Sequence, residues 1–374
     1  MIYLSLFNHL NMKDKQNGEP LQLGNILTSL SDADEKKRPR KDISKYPTRP
    51  IKLDDAEDLQ KNDTQTIVFQ HTAFCQTFLP YRNPGDDVKK WARENGKTRL
   101  LVRGGYVEDP DTKEDIYMGL PYGSKARIIL SFINTTAIVS QSPKLVVADS
   151  MTKFITDDLN LKNSGYNINQ VKNQLARLAA SSFEMVIPKR DRRQQIIRCP
   201  SVVLSFDVWF PKDSDQRVIW DSELILNSQY FESLMEHAVP LDFEAIYRLK
   251  NNAQALDWYA WLSQRLHRID HHKPDFISWK DLYDQFNQSD KVPMRRFKQI
   301  VRNDILPLVI GCYPEARHSI EEVLTTKTAK QQKGLLFHHA KPPVPYRIGK
   351  KSYGKLAKAI QQGGKFNGKS FKGN

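Results

Sequence analysis

The chain has 374 residues, a formal net charge of +14 and 39% hydrophobic residues. At roughly 150 residues per domain, this length predicts two domains plus tails. The excess of Lys and Arg predicts a polyanionic partner, either nucleic acid or a membrane surface. No apolar run approaches the roughly 20 residues of a membrane-spanning helix, so no membrane insertion is predicted. The three cysteines are odd in number and far apart, which indicates a reducing, cytoplasmic compartment and argues against a disulfide framework.

The first 66 residues carry as many acidic as basic side chains and include the charged run DADEKKRPRKD. This composition is typical of a flexible N-terminal arm, which we predict over residues 1–66. The opening segment MIYLSLF is apolar but short, and no basic region precedes it, so it is not predicted to be a signal peptide. The sequence leaves open whether Met1 or Met12 is the start.

Residues 67–220 are predicted to form a first domain with three helices and a strand pair. Apolar residues recur at helical spacing within Gly119–Val139, Ser150–Leu161 and Asn167–Ser182. The segments SFEMVIP and QQIIRCPSVVLSFDVWF follow, and their content of Val, Ile and Phe is typical of strands. Three helices followed by such a pair indicate a winged-helix domain.

The third predicted helix of this domain is the first candidate for DNA recognition. Its core stripe is Ile168, Val171, Leu175 and Leu178. The opposite face carries amides and basic side chains, which suit the edges of adenine and guanine. The candidate base contacts are Asn169, Gln170, Lys172, Asn173 and Arg177. The turn between the two strands adds four candidate contacts to the DNA backbone, namely Lys189, Arg190, Arg192 and Arg193.

The second half, residues 221–346, is predicted to repeat this arrangement as a second winged-helix domain. A long helix is expected over DFEAIYRLKNNAQALDWYAWLSQRL, a second over Phe276–Phe286 and a third over Pro293–Val309, which Pro307 ends. In the long helix, Trp258, Tyr259 and Trp261 could stack on single-stranded bases, but core packing is favoured. The expected fold is therefore α+β and mainly helical, with two tandem winged-helix domains.

The third helix of the second half is the second candidate for DNA recognition. Its predicted core face is Met294, Phe297, Ile300, Val301 and Ile305. The remaining surface is rich in Arg, Lys and amides, the side chains that contact base edges and phosphates. The candidate DNA contacts are Arg295, Arg296, Lys298, Gln299, Arg302 and Asn303.

The C-terminal segment, residues 347–374, holds eight basic and no acidic residues. We predict a flexible basic tail that binds phosphates without sequence preference. Its run GGKFNGKS satisfies the P-loop pattern, which requires a strand before it and a helix after it. Here a helix-like segment precedes it and four residues follow it, so neither a nucleotide site nor any other cofactor is predicted.

No catalytic residue or metal ligand is predicted. A tyrosine-dependent DNA-nicking enzyme would need a metal held by a His-x-His motif, but no two of the nine histidines are separated by a single residue. His267 and His271 could share a helix face, yet they lack a third ligand of clear spacing and are expected to be surface or capping residues. The chain is therefore not predicted to be an enzyme.

Several motifs resemble the plasmid replication initiators of the RepA type, which bind repeated sequences, or iterons, at a plasmid origin. The most specific of them is GLPYGSKAR, and FCQTFLPYRNPG, SGYNINQVKNQLARL, DLYDQFN, RRFKQIV, GCYPEAR and AKPPVPY continue the likeness. Together they span about Phe69 to Tyr346.

This resemblance implies two winged-helix domains, binding to double-stranded iteron DNA, origin opening and recruitment of a host initiator and helicase. It also implies repression of the chain's own promoter and dimerisation through the first domain, with the monomer as the initiating form. Two alternatives stay open: a winged-helix transcriptional repressor without a replication role, and a relaxase-like nicking enzyme, which the absent His-x-His motif disfavours.

Overall fold

The computed structural model describes residues 48–50, 67–108, 112–146, 151–188, 194–199, 201–205, 223–289, 291–323 and 333–344. The elements of the first part of the chain are β1 (Thr48–Pro50), β2 (Ile67–His71), α1 (Thr72–Gln76), β3 (Lys90–Asn95), β4 (Thr98–Arg103), β5 (Gly105–Glu108), β6 (Asp115–Gly119), α2 (Gly123–Ser140), β7 (Lys144–Val146), α3 (Met151–Lys153), α4 (Gly165–Ala180), β8 (Ser182–Pro188), β9 (Gln194–Cys199) and β10 (Val203–Ser205).

The elements of the second part are β11 (Glu223–Leu226), α5 (Ser228–His237), β12 (Ala238–Asp242), α6 (Phe243–Leu249), α7 (Ala253–Arg265), β13 (Asp275–Ser278), α8 (Trp279–Phe286), α9 (Met294–Ile300), α10 (Leu306–Cys312), β14 (Ile320–Val323) and β15 (Gly334–Phe337). This mixture of helices and antiparallel strands confirms the predicted α+β class.

The described strands form small antiparallel sheets. Two sheets have four strands, in the orders β3-β4-β8-β9 and β1-β14-β15-β13, and a third has the order β10-β11-β7. Strands β8 and β9 pair from Phe183–Cys199 to Pro188–Gln194. They therefore form the hairpin that the sequence predicted after helix α4.

Two hydrophobic cores share one strand pair. Strand β2 places Phe69 in the first core, which surrounds α2 and α4, and Val68 in the second core, which surrounds α7 and α9. Successive side chains of a strand point to opposite faces, so the β2–β12 pair contributes to both cores. Helix α5 packs on the first core through Tyr230 and Leu234. The predicted domain boundaries remain a prediction.

Arg127, in the GLPYGSKAR segment, is a structural link between the two cores. Its guanidinium donates to both carboxylate oxygens of Asp257 on α7, each at 2.7 Å, and to the Leu79 carbonyl at 2.7 Å. Burial raises the pKa of Asp257 to about 6, although Arg127 acts in the opposite direction. The most specific motif of the sequence thus serves the fold, because both members of this ion pair are buried.

The predicted long helix of the second half is wrong, because the chain forms two helices there, α6 and α7. The side chain of Asn252 accepts a hydrogen bond from the Ala255 N–H at 3.0 Å. Asparagine is favoured at such N-cap positions, since it satisfies an amide that the helix leaves unpaired. Trp258, Tyr259 and Trp261 are buried in the second core, which confirms the core interpretation of these aromatics.

Other predicted helices differ at their ends. Within Ser150–Leu161, α3 passes into a π-helical turn, Phe154–Asp158. The predicted helix Phe276–Phe286 begins as strand β13, and α8 starts where the Ser278 side chain accepts from the Asp281 N–H at 3.0 Å. The Ser278 cap, which hydrophobic periodicity does not reveal, sets the start of α8.

Part of the predicted N-terminal arm belongs to the second four-stranded sheet. Strand β1 pairs antiparallel with β14, with Arg49 opposite Glu322. This pairing overturns the prediction of a flexible arm at residues 48–50. The rest of residues 1–66, the basic tail 347–374 and its GGKFNGKS run lie outside the described residues.

Candidate nucleic-acid interface

Helix α4 carries the first set of predicted DNA contacts. The Ser164 hydroxyl caps its start by accepting from the Asn167 N–H at 3.3 Å. The predicted stripe packs inward: Val171 and Leu178 are fully buried, Leu175 is nearly so, and Ile168 packs against the same core. Burial of this stripe leaves the opposite face in solvent.

The solvent-facing side of α4 consists mostly of amides. Asn169 and Asn173 are exposed, and Gln170 and Lys172 are half-buried. The Asn173 Oδ1 accepts from Arg177 Nε at 2.8 Å and from Gln174 Nε2 at 3.2 Å. Because a bidentate contact to adenine uses both amide groups, Asn173 keeps only its Nδ2 for DNA, whereas within the described part of the chain Asn169 has no such partner.

The sequence analysis placed Arg177 on this exposed face, and that placement is wrong because the side chain is buried. The side chain is 8% exposed, its Nη1 donates to the Leu120 carbonyl at 3.1 Å, and its guanidinium lies 5.1 Å from the Tyr122 ring. Gly119 has φ +82°, and a Cβ there would collide with this guanidinium. The glycine before Leu120 therefore makes room for a buried arginine.

The four predicted backbone contacts Lys189, Arg190, Arg192 and Arg193 lie outside the described residues. The strands that flank them are described, and Pro188 pairs with Gln194 at the end of the hairpin. The positions of these four side chains remain a prediction.

Helix α9 carries the second set of predicted contacts and continues through a π-helical turn, Val301–Ile305, into α10. Phe297, Val301 and Ile305 are buried, and Met294 and Ile300 pack against the same core. This burial confirms the predicted core face of the helix.

The expectation that Pro307 ends this helix is wrong, because Pro307 lies in the first turn of α10. The Leu306 N–H bonds to the Val301 carbonyl, five residues back, so the helix widens just before the proline. A proline is tolerated where its missing N–H would be unpaired anyway. Wide turns of this kind are frequent at functional sites.

The remaining face of α9 is basic and open to solvent. Arg295, Arg296 and Asn303 are exposed, and Lys298 and Gln299 are half-buried. In contrast to α4, two arginines here point away from the core at the start of the helix. The π-helical turn that follows α9 also carries an exposed acidic residue, Asp304.

Arg302 lies at the side of this face and is held in place. Its Nη2 donates to Glu322 on β14, its guanidinium lies 5.0 Å from the Trp279 ring, and the side chain is 27% exposed. The sequence prediction placed Arg302 among freely exposed contacts, whereas the structure anchors it to a neighbouring strand.

The sequence analysis did not predict two exposed aromatic side chains near α4, Tyr166 and Tyr106. Tyr166, at the start of the helix, is 73% exposed. In the β5–β6 hairpin Tyr106 is 56% exposed, and the Lys89 ammonium lies 3.4 Å from the Tyr117 ring. Alternating aromatic residues in short strands could have indicated this hairpin. Aromatic and cationic groups of this kind can contact nucleic acid.

Comparisons with known proteins place this geometry in a family context. The family profile described as "Plasmid encoded RepA protein" matches residues 120–281, a range that includes helices α2, α4 and α7. No curated protein matches.

Two solved structures, both of domains 2 and 3 of RctB, are similar to this chain at 12% identity. One covers 75% of this chain and 94% of its own at a TM-score of 0.38, and the other covers 72% and 97% at 0.40. These scores are too low to establish a shared fold. Across the described part of the chain, no helix has the length and apolar character needed to cross a membrane. The profile match confirms the resemblance to RepA-type proteins for the sequence motifs that lie within residues 120–281.

Proposed function

We propose that the chain is a sequence-specific DNA-binding initiator of plasmid replication, without enzymatic activity. It binds iteron repeats at the origin through two winged-helix domains, promotes opening of the duplex and recruits host replication proteins. The observation that carries this proposal is the paired arrangement of α4 and α9. Each helix buries one apolar stripe and presents amides or arginines on the other side, in a chain whose centre matches plasmid-encoded RepA proteins.

The two helices suit different bases. The amides of α4 can contact adenine, and Arg295 and Arg296 of α9 can donate two hydrogen bonds to guanine. Phosphate contacts from lysines and arginines around them supply affinity and register but no sequence preference. Binding to neighbouring repeats would bend the duplex and stress an adjacent A·T-rich segment, in which flexible TA steps are easily unstacked.

Two experiments test this function. The first measures binding of the full chain to duplex DNA that flanks its gene and to shuffled DNA of equal length, across a salt series. Preference for the flanking DNA that persists at high salt is expected, because base contacts depend less on salt than phosphate contacts do. Equal binding to both duplexes would contradict sequence recognition.

The second experiment separates initiation from repression. A plasmid that carries this gene and its flanking DNA as its sole origin is expected to replicate. If it fails to replicate while the protein binds the flanking DNA and silences its own promoter, the chain is a repressor. A nicked product from supercoiled origin DNA and Mg²⁺ would instead reveal an enzyme.

A further inference from the structure

We propose that Arg49 in strand β1 joins Lys298, Arg302 and Lys333 in a site for DNA phosphate groups, which the carboxylate of Glu322 organises. This inference rests on the proposed DNA-binding function and adds two residues to it, Arg49 from the N-terminal segment and Lys333, which immediately precedes β15.

Glu322 lies at the centre of this site. Its side chain is 3% exposed, yet each of its oxygens has a donor. The Arg49 Nε and Nη2 donate to Oε2 at 2.9 and 2.6 Å. Trp279 Nε1 donates to Oε1 at 3.2 Å, and Arg302 donates to the same oxygen. A buried carboxylate with both oxygens occupied holds its donors in fixed positions.

Trp279 links Glu322 to the other cations of this site. Its indole lies beside Lys298 and Arg302, and its backbone N–H bonds to Lys333. The Lys298 ammonium lies 5.8 Å from its ring and the Arg302 guanidinium 5.0 Å. The backbone N–H of Trp279 donates to the Lys333 carbonyl at 2.9 Å. Cations lie favourably over the face of an indole, so the N-terminal strand, α9, the turn after it and β15 meet around one residue.

The charges in this cluster do not balance. Among the described residues, the four cations Arg49, Lys298, Arg302 and Lys333 lie around the carboxylate of Glu322, which accepts hydrogen bonds from Arg49 and Arg302. The pKa of Lys298 is lowered by burial first and then by repulsion from Arg302 and Lys333. The next carboxylate along β14, Glu321, lies 3.8 Å from His338. An approaching polyanion would relieve this repulsion and release counterions.

Arg49 decides how much of this charge reaches DNA. With Arg49 present, the guanidinium groups of Arg49 and Arg302 share the Glu322 carboxylate. These three side chains therefore keep one net positive charge beside the exposed face of α9. Without Arg49, Arg302 and Glu322 would form a neutral pair, and that charge would be lost. The Arg49 side chain is 51% exposed, so it can contact a phosphate while it holds Glu322.

The test compares the full-length wild-type chain with Arg49→Ala and Arg49→Lys. The matched control is Arg99→Ala, because Arg99 also lies on a strand, is 44% exposed and pairs with a carboxylate, Glu94, at 3.2 Å. Binding to the flanking and shuffled duplexes is measured from about 50 to about 300 mM salt, and the slope of log K against log salt is compared. Thermal unfolding of each variant confirms that it is folded.

Loss of one phosphate contact is expected to reduce the slope by about 0.9 in Arg49→Ala on both duplexes. Arg49→Lys keeps the charge and should keep the wild-type slope, as should Arg99→Ala. A wild-type slope in Arg49→Ala, an equal loss in Arg99→Ala, or an equal loss in Arg49→Lys would each overturn the proposal. Equal affinity of the wild type for both duplexes would overturn sequence recognition alone, since the slopes on shuffled DNA still test Arg49.

Discussion

Helices α4 and α9 have similar amino-acid patterns but use their arginines differently. In α4, Arg177 is buried and donates to the Leu120 carbonyl. In α9, Arg295 and Arg296 are exposed. An apolar stripe at helical spacing therefore locates the core face in both helices, but it does not show which cation beside that stripe a nearby carbonyl will capture.

The largest expected effect comes from Arg177→Ala. Removal of this side chain leaves the Leu120 carbonyl and the Asn173 amide oxygen without their charged donor, which should lower the free energy of unfolding by about 3 kcal/mol. Chemical denaturation measures this loss, and Asn169→Ala on the exposed face of the same helix is the control. If Arg177→Ala unfolds like the wild type but loses base preference, Arg177 contacts DNA and the comparison fails.

The next effect concerns binding and leaves stability unchanged. Arg296→Ala and Arg295→Ala should each weaken binding to the flanking duplex by about 1–3 kcal/mol and relax base preference at one position, if each donates to a guanine. Competition binding against single-base variants of the site measures this change. Unchanged preference in both variants would remove the assignment of α9 as a recognition helix.

A smaller difference is expected between two asparagines of α4. Asn169→Ala should cost about 1 kcal/mol of binding and relax an adenine preference, because its amide can make both hydrogen bonds. Asn173→Ala should change preference less, since its Oδ1 already accepts from Arg177 and Gln174. The same competition assay compares them, and a larger change of preference in Asn173→Ala would reverse this ranking.

The smallest predicted effect is the pH dependence of stability at Glu322. Burial raises the pKa of this carboxyl, but the hydrogen bonds from Arg302 and Arg49 lower the pKa by more than burial raises it. The folded-state pKa of Glu322 therefore lies below the usual value. Its contribution to stability is present above the unfolded-state pKa and is lost as the pH falls through the folded-state pKa.

Wild-type protein should therefore lose more stability than Glu322→Gln when the pH is lowered from about 5 to about 3, a range that begins above the ordinary pKa of glutamate and extends below it. Denaturant unfolding at several pH values measures this. Identical acid dependence in the two proteins would contradict the lowered pKa.

Much of the fold was predictable from hydrophobic period alone. The inward residues Phe154 and Ile155, and Val171 and Leu178 of α4, are buried as their spacing indicates, and SFEMVIP forms β8 over its whole length. Burial follows period because an amphipathic element has one way to cover its apolar side.

The rest depended on contacts between residues distant in sequence. Arg127 and Asp257 are 130 positions apart, and Arg49 and Glu322 are 273 apart. No local pattern connects such residues. The buried state of Arg177 depended on Gly119, whose missing side chain leaves space for the guanidinium. Glycine before the motif LPYG was visible in the sequence, but its neighbour in space was not.

The most direct test of the account is the binding of wild-type and Arg296→Ala protein to the flanking and shuffled duplexes at about 200 mM salt, where non-specific phosphate binding is weak. We predict that the wild type prefers the flanking duplex. Arg296→Ala should lose part of this preference and still unfold at the wild-type temperature. Equal affinity of the wild type for both duplexes, or full preference in Arg296→Ala and Arg295→Ala alike, would contradict it.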